Sequence, residues 1–130
     1  MTRRLVGLLL LLSGPCGPSP APAFGDEGLA TWYSRASALA EQPQYGAVMA
    51  SGQPLDDDAL TCAMRRRDWG SRWKVTALDS GRSVVVTLED FGPGQRATRR
   101  GVIIDLSLGA WRALGHPFDN GRLRVRVEPA

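Results

Sequence analysis

Two apolar runs joined by a tight turn constrain this chain more than any other feature. Trp73-Lys74-Val75-Thr76-Ala77-Leu78 alternates apolar and polar residues with the period of a strand. Asp79-Ser80-Gly81 then supplies a turn whose glycine can take a positive φ, and residues 83–88 return as a second strand. The result is a β-hairpin, which needs further strands to cover its apolar face. The sequence offers them. Leu29-Ala30-Thr31-Trp32-Tyr33 has aromatic and β-branched character, residues 102–106 form another apolar run, and Arg122-Leu123-Arg124-Val125-Arg126-Val127 alternates strictly. Helical signals are few. Residues 35–41 suit a short turn of helix that Pro43 ends, and Ser107 can cap a helix over 108–114 that Gly115 and Pro117 stop. Residues 42–52 read as a long loop, a feature that small domains often use for function. Many short strands, glycine-rich turns and one or two short helices predict an all-β barrel over residues 24–130.

The N-terminus belongs to a different regime. Arg3 and Arg4 precede an apolar run over 5–12, and Ala21-Pro22-Ala23 places small residues where a signal peptidase reads them. Residues 1–23 are therefore expected to be a secretory signal, with export to the periplasm or beyond. Cys16 offers an alternative as a lipidated residue anchoring the chain to a membrane, but Pro15 occupies the position where a small residue normally stands. Losing Arg3 and Arg4 would leave 14 basic residues against 13 acidic ones, so the net charge of +3 falls to +1. That balance argues against nucleic acid as a partner.

The chemistry-bearing residues are carboxylates. The run over 84–88 continues into Glu89-Asp90-Phe91-Gly92-Pro93, and residues 101–107 carry Asp105 near their end. A strand that delivers a carboxyl to its own end beside a Gly-Pro turn presents an acid at a barrel rim, where it can do general acid–base work. Asp56-Asp57-Asp58 reads as turn and helix capping, because adjacent carboxylates do not converge on one metal ion. No zinc pattern or disulfide framework is present, and no cofactor is implied. Cys62 sits in an apolar context and reads as a buried small side chain. Arg65-Arg66-Arg67 reads as a solvated charge run, with contact to an anionic polymer such as cell-wall glycan as the alternative. Trp32, Tyr33, Trp69 and Trp111 are candidates for stacking on sugars, with core packing the preferred role for Trp32 and Trp111.

In order and spacing, these segments resemble the rare lipoprotein A (RlpA) family. Gly28-Leu29-Ala30-Thr31-Trp32-Tyr33 is similar to its G-x-A-S-W-Y opening, Ala50-Ser51-Gly52-Gln53 to its T-A-S-G-E, and residues 59–64 to its A-L-T-A-A-H. Residues 70–76 are similar to F-G-T-x-V-x-V-T, Glu89-Asp90-Phe91-Gly92-Pro93 to N-D-R-G-P, and Ile104-Asp105-Leu106-Ser107 to I-D-L-S. The resemblance spans residues 28–128. It implies a six-stranded double-psi β-barrel, related to expansins and barwin-like proteins, and an exported protein acting on peptidoglycan. It further implies a lytic transglycosylase that cleaves the MurNAc-GlcNAc bond and leaves 1,6-anhydro ends. Asp90 would be its single general acid and base, with Ser51 and Gln53 contacting substrate and Asp105 either orienting substrate or serving as a structural cap for the helix that follows. The chain departs from the family motifs at three places: Gln53 stands for Glu, Met64 for His and Phe91 for Arg.

Two other functions are compatible with these residues. One is an expansin-like domain that binds glycan without cutting it. The other is a small secreted inhibitor or accessory protein that keeps only the fold. A monomer is expected in each case.

Overall fold

The computed structural model describes residues 25–118 and 121–130. The expected signal over 1–23, with Cys16, lies outside the described residues. Six strands close into a barrel in the order β1-β5-β2-β4-β3-β6. They are β1 (Asp26–Tyr33), β2 (Thr61–Met64), β3 (Arg72–Ala77), β4 (Ser83–Phe91), β5 (Val102–Ser107) and β6 (Leu123–Pro129). The helices are α1 (Arg35–Glu41), α2 (Gln95–Arg99) and α3 (Leu108–Ala113), with a 3₁₀ turn at Pro43–Tyr45. The all-β, six-stranded barrel read from the sequence is therefore the observed fold, with three short α-helices where one or two were expected.

Two parallel pairs, β1 with β5 and β2 with β4, are joined by antiparallel neighbours. The hairpin of β3 and β4 pairs Val75 with Val84, and Gly81 takes the positive φ of 77° that its turn requires. Strand alternation sends one set of side chains inward. Val75, Val86, Leu88, Ile104, Leu106 and Val125 are fully buried there, and α3 closes the core with Trp111. Trp111 thus plays the packing role expected of it. Trp32 is half-buried, packs against the core and meets Phe118 edge to face at 5.3 Å.

Capping follows the sequence. The Ser107 hydroxyl accepts from the Ala110 N–H at 3.2 Å and donates to the Ala59 carbonyl at 2.6 Å, so it starts α3 and ties it to the segment leading into β2. In the Asp56-Asp57-Asp58 run, Asp58 faces Arg112 at 3.6 Å and the other two carboxylates accept from backbone. Asp57 accepts from the Arg35 N–H at the start of α1, and Asp56 accepts from the Asp58 N–H. Strand β2 had no alternation to reveal it, because Thr61, Cys62 and Ala63 are all buried.

Candidate functional site

Strand β2 lies between β4 and β5, and it sets the level of the two candidate carboxylates. Ala63 pairs with Asp90 on β4 and with Asp105 on β5. The two Asp residues are thus two strand spacings apart, roughly 9–10 Å between backbones. The residue between them has only a methyl side chain. All three line one depression of about 440 Å³, together with Trp32, Tyr33, Glu41 and Gly92. A second depression of about 520 Å³ is lined by Tyr45, Val48, Met49 and Ala50. Ala38, Gln42, Leu55, Asp90 and Phe91 line both. The two therefore form one groove, and Asp90 stands where its halves meet.

Asp90 is held by the segment that faces it. Residues 47–55 form a small hairpin, closed by Leu55 N–H to Ala47 carbonyl at 2.7 Å and by Met49 N–H to Gln53 carbonyl at 2.9 Å. Ala47, Met49 and Leu55 pack as a satellite core against Tyr33 and Ala38. The hairpin points the Ala50 N–H at Asp90 Oδ1 (3.0 Å), and the Phe91 N–H donates to the same oxygen (2.9 Å). Two backbone donors thus fix one carboxylate oxygen. Among the described residues, no hydrogen bond engages Oδ2.

Asp105 is in a drier place. The Thr31 hydroxyl from β1 donates to its Oδ1. Burial raises its carboxyl above the ordinary carboxylate range. The Thr31 bond opposes that shift, and the charges of Asp90 and Glu41 add to it. Tyr33 is likewise pushed up, chiefly by burial, while its hydroxyl meets Thr61 Oγ1 at 3.0 Å. Burial, with smaller contributions from the Asp105 and Glu89 charges, raises the Cys62 thiol to about 12. Cys62 is fully buried and so is the packing residue expected, not a nucleophile.

The remaining sequence candidates fall outside the groove lining. The Ser51 hydroxyl donates to Glu89 Oε2 at 2.6 Å, and the Ser51 N–H donates to the Glu89 carbonyl. It therefore ties the hairpin to β4. Gln53 is exposed at the hairpin end, with its N–H donating to Ser51 Oγ. Met64 packs against the barrel core. The chain's one histidine, His116, belongs to a separate cleft with Leu78, Asp79 and Arg122.

The basic run is exposed, as the solvated reading expects, but each guanidinium has a neighbour. Arg66 turns to Trp73 and forms a two-pronged bond with Asp68. Arg65 and Arg67 turn the other way, onto the Phe91 ring, at 5.2 and 4.4 Å. Alternation along an extended segment explains the split. It was readable in principle, but nothing in the sequence said that Phe91 would lie beneath.

Comparison with known proteins agrees with this architecture. A family described as lytic transglycolase matches residues 26–127. A protein of Nostoc sp. named probable endolytic peptidoglycan transglycosylase RlpA is 39% identical over 102 residues, 78% of this chain and 25% of that protein. The Pseudomonas aeruginosa endolytic peptidoglycan transglycosylase RlpA is 33% identical over 108 residues, 83% of this chain and 28% of its own. The chain thus spans about a quarter of the length of these relatives. Among solved structures, the Streptomyces papain inhibitor superposes with a TM-score of 0.59 at 20% identity, covering 82% of this chain and 94% of its own. The expansin of Clavibacter michiganensis gives 0.58 at 23% identity, covering 82% of this chain and 50% of its own. These two likenesses establish a shared barrel fold.

Proposed function

Because the chain belongs to the lytic transglycolase family and is RlpA-like in its ordered motifs, we propose that it cleaves peptidoglycan strands as a lytic transglycosylase outside the cytoplasm. Residues 24–130 would be the working domain, released by a signal over 1–23 and acting as a monomer without a cofactor. One observation carries the reading. Asp90 stands at the meeting point of a two-part groove with one oxygen pinned by backbone donors. A strand laid along the groove would pass over Ala63, with a carboxyl on either side.

The chemistry needs a single proton shuttle. Protonated Asp90 donates to the glycosidic oxygen as the bond from the muramic anomeric carbon to that oxygen breaks. The C6 hydroxyl of the same sugar then closes on the anomeric carbon, and its proton returns to the Asp90 carboxylate. The acid is regenerated and no water enters, unlike in hydrolytic glycosidases, where a second carboxylate activates water or serves as nucleophile. Asp105, whose carboxyl burial pushes upward, stands across Ala63 where it can hydrogen-bond a sugar hydroxyl. Ser51 supports the hairpin through Glu89, and Gln53 reaches substrate from the exposed rim.

An expansin-like binder is the second reading. Its support is the lack of any imidazole or arginine directly after Asp90, since Met64 and Phe91 occupy those places and His116 lies in another cleft. Asp90→Asn separates the two. The transglycosylase reading expects cleavage to fall by about 10²–10⁴-fold while strand affinity stays within a few-fold. Wild-type binding with no cleavage at any pH would make the chain a binder. Cleavage unchanged in Asp90→Asn would remove Asp90 from the chemistry.

A further inference from the structure

The groove's rim carries two guanidiniums that the proposed chemistry does not use. Arg65 and Arg67 both stand over the exposed ring of Phe91, whose backbone follows the candidate acid directly. The arginine between them has a carboxylate partner. Arg66 is paired with Asp68 at 2.6 Å. Neither Arg65 nor Arg67 has a carboxylate within 4.0 Å among the described residues. Arg65 is steadied instead by donating from Nη1 to the Pro93 carbonyl at 2.8 Å. Stacking on a ring leaves the in-plane N–H edges of a guanidinium open, and that edge fits a carboxylate in two-pronged fashion. The aromatic face also limits the freedom of two long side chains before any ligand arrives.

We propose that Arg65, Phe91 and Arg67 form a carboxylate-binding subsite at the rim of the groove, which selects strands carrying an anionic group near the bond held by Asp90. This rests on the reading of the groove as a peptidoglycan-strand site. Phe91 supplies the platform and lines the groove itself, so a ligand there lies within one residue of Asp90. Two parts of a peptidoglycan strand offer the carboxylate: the lactyl group of a peptide-free muramic sugar, or the acidic residues of a stem peptide.

The test compares affinities by titration calorimetry on the wild type, Arg67→Gln, Arg65→Gln and Arg67→Lys. The ligands are peptide-free strands, the same strands with their lactyl carboxyls amidated, and peptide-bearing strands. For the wild type, the carboxylate strand is expected to bind about tenfold tighter than its amidated form, as charge-assisted two-pronged bonds would give. In either Gln variant that ratio should fall to about one. Arg67→Lys, which keeps the charge and loses the fork, should recover only part of it. A preference for peptide-free strands assigns the lactyl carboxylate, and a preference for peptide-bearing strands assigns the stem. Equal wild-type affinity for the charged and amidated strands would overturn the subsite while leaving the groove reading intact. No binding to any strand would overturn both.

Discussion

At the scale of single residues, burial works against the ionised form of Asp105, Tyr33 and Cys62 at and beneath the candidate site. Asp105 is the clearest case. Burial disfavours its charged form, so its folded value lies above the ordinary one of the unfolded chain. Between those two values the folded protein binds more protons than the unfolded one. The contribution of Asp105 to stability is therefore greatest at low pH and declines as pH rises through that window. Asp105→Asn keeps an acceptor for the Thr31 hydroxyl and removes the charge. It should raise the melting temperature at pH 7, and the gain should vanish near pH 3. A variant less stable than the wild type at pH 7 would mean that the carboxylate is stabilised by its surroundings after all. Both candidate acids were legible at this scale, because each ends an apolar run. The Thr31 bond and the Arg65–Phe91–Arg67 stack were not, because each joins residues at least 24 positions apart in sequence.

The elements explain why those residues meet. Strand β2 is only four residues long, yet it brings Asp90 and Asp105 to the same level on either side of Ala63. Ala63→Val would raise the floor of the groove between the carboxyls. Cleavage should fall at least tenfold while the far-ultraviolet circular dichroism stays that of the barrel. Full activity in this variant would place the bound strand elsewhere. Helix α3 makes a second point about tight approach. A Cβ on Gly109 would sit 2.8 Å from the Asp58 carbonyl oxygen, and the Gly109 N–H already donates to the Asp57 carbonyl. Alanine is the better helix former by about 1 kcal/mol. Gly109→Ala should nonetheless destabilise the fold, by about 1–3 kcal/mol of overpacking. A rise in melting temperature would show that residues 57–58 yield easily. The hairpin of β3 and β4, strands β5 and β6, and helices α1 and α3 all announced themselves through alternation, turns or caps. Strand β2 and helix α2 did not. The first is buried on both faces. The second starts at Gly94 with no side-chain cap.

For the molecule as a whole, closure of the sheet removes exposed edges. It leaves one rim to carry the groove, the 47–55 hairpin and the basic stack. The fold was legible because two strands carried a clear period, three more were apolar or β-branched runs bounded by turns, and the ordered motifs supplied the sixth. The site was legible only in part. Gln53 and Ser51 matched motifs by position, yet one is exposed at the hairpin end and the other is bonded to Glu89. Position in a motif fixes where the backbone passes, and local partners decide where the side chain turns. A groove that cuts a glycan strand through Asp90 without consuming water leaves a chemical signature on the new ends. The most direct test is a digest of purified peptidoglycan with residues 24–130, read by mass spectrometry for the chemistry of the new ends. The expected products carry 1,6-anhydro muramic ends that disappear with Asp90→Asn. New reducing muramic ends, or anhydro ends that persist in Asp90→Asn, would contradict that chemistry.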